Sequence, residues 1–178
     1  MLLELHCSKF HEPSIYFHNG LNVILGDDSA TNSIGKSSLL LILDFVYGGN
    51  DFIKFDNGAV DNIGPHDFNF CFLFANNKYY FKRKTNNPGV VYKCDNNYTT
   101  IKSLELQDYI SFLDNKYDIR LEKTSFRQFT GLFCREWGKK NLVVSKPLHS
   151  VPENNMTECI ERLIDYFTMY KTIDGFGC

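Results

Sequence analysis

The chain has 178 residues, of which 43% are hydrophobic and 15% aromatic, and its formal charge is −2. That suffices for one domain, or a lobe of a larger one, with an ordinary core, and it gives no whole-molecule electrostatic case for nucleic acid. No apolar stretch approaches 18 residues, and no basic N-terminal segment leads into a long apolar core, so neither a membrane span nor a signal peptide is expected and a cytoplasmic location is.

In chain order, strands come first and helices later. Short strands are expected over about 2–9 and 14–18, and a third over 21–25 on the apolar run from Leu21 to Leu25. A helix should run from Gly35 to Tyr47 and stop at Gly48-Gly49. Phe52 to Lys54 reads as a short strand. Phe68 to Phe74 and Lys78 to Lys84 read as a hairpin turning at Asn76-Asn77, and Val90 to Cys94 as its third strand. From Ser103 to Asn115 the spacing of Leu106, Ile110 and Leu113 is helical, with Ser103 as a possible cap. Ser125 to Glu136 is expected to be helical in part, 139–152 to be a polar loop, and a last helix to carry Met156, Ile160, Leu163, Ile164 and Phe167.

The segment Asn32-Ser33-Ile34-Gly35-Lys36-Ser37-Ser38 holds the chemistry. An apolar strand, a glycine-containing loop, Gly-Lys-Ser and an apolar helix form the layout of a phosphate-binding P-loop. Successive main-chain amides and a helix N-terminus cradle an anion. Lys36 would reach the terminal phosphates and the Ser37 hydroxyl would bind Mg²⁺. The usual first glycine is replaced by Ala30, and the nearest upstream glycine is Gly26, so the loop is extended and carries Asp27 and Asp28.

The opening resembles the N-terminal lobe of the SMC, RecN and RecF group of ABC-type ATPases. The resemblance rests on Leu2 to His6, the turn Ser8-Lys9-Phe10, the strand Ser14 to Phe17, the run Gly20 to Gly26, and Asn32 three residues before Gly35. The phrases GLNVILGDDSATNSIGKSSLL and LDFVYGG are most similar to a bacterial SMC-like branch with an extended P-loop, some of whose members are encoded near mobile-element or phage-defence genes. The resemblance implies an α/β (α+β) fold: the N-terminal half of a P-loop NTPase head of ABC type, with an antiparallel β-subdomain beside the P-loop strand and helix. Strands, P-loop and helix would occupy 1–56, hairpins 57–100, and a helical part 101–178. It also implies ATP and Mg²⁺ as cofactors, Lys9 near the nucleotide, and Gln128 as a Q-loop residue contacting Mg²⁺. A solvated lysine at a strand end and a surface glutamine on a helix are the ordinary alternatives for these two. The hairpins favour such a head over a small P-loop kinase, which would continue in βαβ units.

Other candidates are weaker. Leu40-Leu41-Ile42-Leu43-Asp44 fits the Walker B pattern but lies inside the helix that the P-loop requires, and Leu163-Ile164-Asp165 also reads as helix. The five histidines form no ligand pattern, and the six cysteines form no CxxC, which favours buried reduced thiols over a disulfide or metal framework. Lys82-Arg83-Lys84, with Tyr80, and Arg135, Lys139, Lys140 and Lys146, with Trp137, could form a nucleic-acid face. An ordinary solvated surface explains them more simply.

In the SMC group the signature, the Walker B Asp and the catalytic Glu belong to a C-terminal lobe beyond a coiled coil. The chain therefore reads as a fragment or an isolated lobe. The implied partners are that lobe and coiled coil, a second head across an ATP-bound homodimer, and DNA as a candidate object of action, in repair, chromosome maintenance or phage defence. Hydrolysis would need the missing parts. The alternative is a nucleotide-binding regulatory module that has lost hydrolysis.

Overall fold

The computed structural model describes residues 1–24, 35–55, 62–118, 124–133 and 156–167. The chain divides into two compact units, Met1–Phe112 and Leu113–Cys178. The first is mixed α/β. Its strands are β1 (Leu2–His6), β2 (Ser14–Tyr16), β3 (Asp67–Phe74), β4 (Asn77–Lys84), β5 (Asn87–Cys94) and β6 (Thr100–Glu105). They form a single six-stranded sheet in the order β2-β1-β3-β4-β5-β6. Every neighbouring pair is antiparallel. The helices are α1 (Lys36–Val46), α2 (Asp51–Phe55) and α3 (Leu106–Tyr117), whose last turns belong to the second unit.

The expected hairpins are present with shifted turns: Asn77 is already the first residue of β4, and β5 starts at Asn87 instead of Val90. Between β3 and β4 the chain reverses through Ala75 and Asn76, at φ 45° and 64°. Positive φ at both positions matches the right-handed twist of the flanking strands. Alternation along β3 and β4 sends Phe68, Phe70, Phe72, Phe81 and Arg83 to the face that α1 and α3 cover, and all five are buried. The rings of Phe70 and Phe81 stack at 6.0 Å, Phe81 meets Tyr109 of α3 edge-on at 5.2 Å, and Phe45 of α1 meets Phe68 at 5.8 Å. This aromatic core accounts for the chain's richness in Phe and Tyr.

The C-terminus of α1 is fixed in three ways. Gly48 takes φ 90°, while the Gly48 and Gly49 amides donate to the Phe45 and Asp44 carbonyls at 3.0 and 2.8 Å. This is the glycine-terminated stop expected of Gly48-Gly49. Tyr109 donates its hydroxyl to the Val46 carbonyl at 2.7 Å. Arg83 donates to the Phe45 and Gly49 carbonyls at 2.6 and 2.7 Å and lies 3.8 Å from the centre of the Phe45 ring.

Three expectations are corrected. Residues 52–54 belong to helix α2, not to a strand. Ser103 does not cap a helix: it lies within β6 opposite Tyr92, and the helix starts at Leu106. Residues 21–24 form no strand, and Leu21, Val23 and Ile24 are exposed. Asn22 is the local cause. Its Oδ1 accepts the His18 amide at 3.0 Å, and its Nδ2 donates to the His18 and Gly20 carbonyls at 2.9 and 3.2 Å. With Gly20 at φ 86°, these bonds hold a turn where a strand would need its main chain free for a neighbour.

The second unit contains helices α4 (Phe126–Phe133) and α5 (Met156–Tyr166). The Thr124 amide donates to Asp165 Oδ2 at 2.7 Å, and Phe129 packs against Tyr166 at 4.8 Å. Asp44 in α1 and Asp165 in α5 are both helical and buried, as their rejection as Walker B acids requires. Cys7, Cys71 and Cys94 are free and buried, Cys159 is buried, and Cys134 and Cys178 lie outside the described residues. Among the described residues no helix is long and apolar enough to cross a membrane.

Candidate functional site

The site is built around the N-terminus of α1. Gly35 is its N-cap at φ 76° and ψ 11°, a left-handed conformation that favours glycine over any residue with a Cβ. Space is not the constraint, since a Cβ there would meet nothing within 4 Å. The first helical bond runs from the Leu39 amide to the Gly35 carbonyl at 2.8 Å. The amides of 36–38 therefore have no acceptor within the helix. Among the described residues no side chain caps them, and no acid occupies the first turn of the helix, although Glu12 lines a cleft beside Gly35. An exposed helix start with open amides is suited to an anion.

Ser37 is exposed and Ser38 is half-buried. Asn32, Ser33 and Ile34 lie outside the described residues, as does the Lys36 side chain. So do the expected basic residues Arg135, Lys139, Lys140 and Lys146, together with Trp137.

Two clefts adjoin this helix start. In the first, of about 480 Å³, Ser38 faces the same space as Lys9, Asn62 and His66, between apolar walls that include Phe10 and Phe52. In the second, of about 520 Å³, Gly35 and Ser38 adjoin an apolar surface that includes Ile15, Ile24 and Leu39. Lys9 and Ser38 of the first turn of α1 both line the first cleft. Lys9 is brought there by the tight turn after β1, where the Cys7 amide donates to the Pro13 carbonyl at 3.0 Å and the Phe10 amide to the Cys7 carbonyl at 3.2 Å. The thiol of Cys7 lines the same cleft. Burial raises its pKa, opposed in part by main-chain hydrogen bonds at Lys9 and Phe10, and this keeps it a protonated, weakly nucleophilic group at neutral pH.

His66 was not singled out by the sequence, because a lone histidine after Gly-Pro carries no spacing signal. It is 7% exposed. Its amide donates to Thr85 Oγ1 at 3.0 Å, and its carbonyl accepts from the Thr85 amide at 3.0 Å and hydroxyl at 3.1 Å. Its Nδ1 lies 2.8 Å from the Gly64 carbonyl. A carbonyl can only accept, so Nδ1 carries a proton.

Gln128 belongs to the second unit. Its Oε1 accepts the Ser125 amide at 2.9 Å and the Ser125 hydroxyl at 3.0 Å, while its own amide donates to Ser125 Oγ at 3.2 Å. This reciprocal arrangement is a capping box at the start of α4. The sequence carries the signal for it, Ser-Phe-Arg-Gln, a serine followed three residues later by glutamine.

Lys82-Arg83-Lys84 is not a continuous basic face, because Arg83 is fully buried. Lys84 lies beside Asp67 at 3.9 Å and over the Tyr92 ring at 5.4 Å. Among the described residues no group of three or more His, Cys, Asp or Glu could hold a metal ion. No family model matches the chain, and neither a curated protein nor a solved structure is significantly similar to it.

Proposed function

We propose that the chain is the ATP-binding lobe of an SMC-like ABC-type ATPase, with the nucleotide's phosphates at the start of α1. The observation that carries the reading is the helix start after left-handed Gly35, with no side-chain cap among the described residues and no acid in its first turn, whose Ser38 shares a cleft with Lys9. These residues fit a polyphosphate: the free amides and Lys36 would hold it, Lys9 would add positive charge, and Ser37 would hold Mg²⁺. The metal would neutralise phosphate charge. DNA as the object of action, a second head and a C-terminal lobe belong to the same proposal, and they rest on the resemblance of the opening sequence.

A nucleotide-binding regulatory module that does not hydrolyse is the second reading. It draws support from the capping box, which occupies the Gln128 amide group. The kinase alternative has less: the sheet after α1 continues through antiparallel hairpins, not βαβ units.

Calorimetry with MgATP tests the proposal. The wild type should bind, and Lys36→Ala should bind roughly 10- to 100-fold more weakly, the effect of losing a charge-assisted phosphate contact. Equal heats from the two proteins would overturn it.

A further inference from the structure

His66 lines the cleft that it shares with Ser38 of α1, and its ring is held on several sides. Phe52 and Phe68 meet it edge-on at 6.0 and 5.1 Å, with interplanar angles of 84° and 83°. Thr85 clamps its main chain from the adjacent strand end, and the Gly64 carbonyl fixes Nδ1 as the protonated nitrogen. In the neutral ring, Nε2 is then a lone-pair acceptor. It has no partner among the described residues. It is not among the buried atoms that lack a partner, so its lone pair is open to solvent and accessible to a ligand's N–H. The surroundings indicate the character of that ligand: the cleft has apolar walls at Phe10, Ile42 and Phe52 and is also lined by Lys9 and by Ser38 in the first turn of α1. Such a cleft suits a planar heteroaromatic ring joined to an anion.

We infer that His66 is a specificity-determining residue that selects a 6-aminopurine over a 6-oxopurine nucleotide by accepting a hydrogen bond from the exocyclic amine at Nε2. This rests on the nucleotide-binding reading and adds to it the group that reads the base. A 6-oxo group would place a second acceptor against Nε2, leaving both lone pairs unmatched. Sites built around a buried hydrogen-bonding group discriminate strongly in this way. The rigidity of the ring matters, because a fixed acceptor cannot turn away from the mismatch.

The experiment compares MgATP with MgITP, which differ at the 6-position, by calorimetry on the 178-residue chain. The wild type should bind ATP at least tenfold more tightly than ITP. His66→Gln, whose amide can present either an oxygen or an NH₂, should bind both nucleotides within about threefold of each other. His66→Phe keeps an aromatic ring between Phe52 and Phe68 but offers no acceptor, and should likewise lose the preference. Equal affinity of the wild type for ATP and ITP would overturn this inference while leaving nucleotide binding intact. So would an undiminished preference in a folded His66→Gln or His66→Phe protein. Failure of the wild type to bind either nucleotide would overturn the nucleotide reading itself, and this inference with it. The wild-type comparison does not depend on whether either variant folds.

Discussion

Arg83 has five N–H donor positions, and each has an acceptor. Nε donates to the Pro88 carbonyl at 3.0 Å, Nη1 to the Phe45 and Gly49 carbonyls, and Nη2 to Asn50 Oδ1 at 2.8 Å and again to the Pro88 carbonyl. The guanidinium therefore ties the end of α1 and the residues leading to α2 onto β4 and the start of β5. Cations are favoured at helix C-termini, where carbonyl oxygens accumulate, and the planar fork of arginine serves several acceptors that lysine cannot reach together. Arg83→Lys should accordingly cost about 3 kcal/mol or more, since it leaves buried carbonyls unsatisfied and an ammonium poorly solvated. Lys82→Met, one residue away on the opposite face of the same strand, should change stability by less than about 0.5 kcal/mol. Urea denaturation of both variants measures the contrast, and similar small losses would show that Arg83 is not the tie described. In the sequence, Lys82-Arg83-Lys84 looks like one basic patch. Strand alternation divides it, and nothing short of locating β4 and its buried face distinguishes the middle residue from its neighbours.

The helix α4 starts at a box in which Ser125 and Gln128 satisfy each other's amides. Gln128→Ala should destabilise the helix start by about 1 kcal/mol and leave MgATP affinity unchanged. A tenfold loss of affinity at unchanged stability would instead make Gln128 a metal or phosphate contact. Elements of this kind were legible from sequence to different degrees, for physical reasons. The hairpins of β3, β4 and β5 were legible because aromatic and charged residues alternate at period two around asparagine-containing turns. Helix α1 was legible from its apolar run and from Gly48-Gly49 at its end. The strand β6 was not, because Thr100 to Glu105 are mostly exposed and carry no apolar face to betray a period. Short apolar runs misled twice. Phe52-Ile53-Lys54 is helical because the chain re-enters a helix at Asp51, with the Ile53 and Lys54 amides donating to the Asn50 carbonyl. Leu21 to Ile24 is not a strand because Asn22 spends its side chain on local main-chain groups. Of the candidate site, Gly35, Ser38 and Lys9 were legible from the motif and the first turn. His66 was not, since only the fold brings the segment before β3 to the start of α1.

Binding and hydrolysis make different demands on a whole molecule. Phosphoryl transfer needs an oriented water, a metal held from more than one side and charge stabilisation around the transferred group. On the proposed reading the open amides of α1, with Lys36 and Ser37, would supply one side of that cage. The buried acids that might have supplied another are engaged in the scaffold: Asp44 lies within α1 itself, and Asp165 accepts the Thr124 amide in the second unit. Among the described residues no cluster of three metal-ligating side chains exists. The 178-residue chain should therefore bind MgATP without turning it over. Steady-state phosphate release is expected to match that of a Lys36→Ala control, at ATP concentrations where calorimetry shows the wild type saturated. Supplying the groups absent from this cage, as a second polypeptide or a longer chain, should raise the rate in a manner that Lys36→Ala abolishes. Robust turnover by the 178 residues alone, lost in Lys36→Ala, would mean that the chain carries its own water-orienting acid, and the half-site view of α1 would have to be given up.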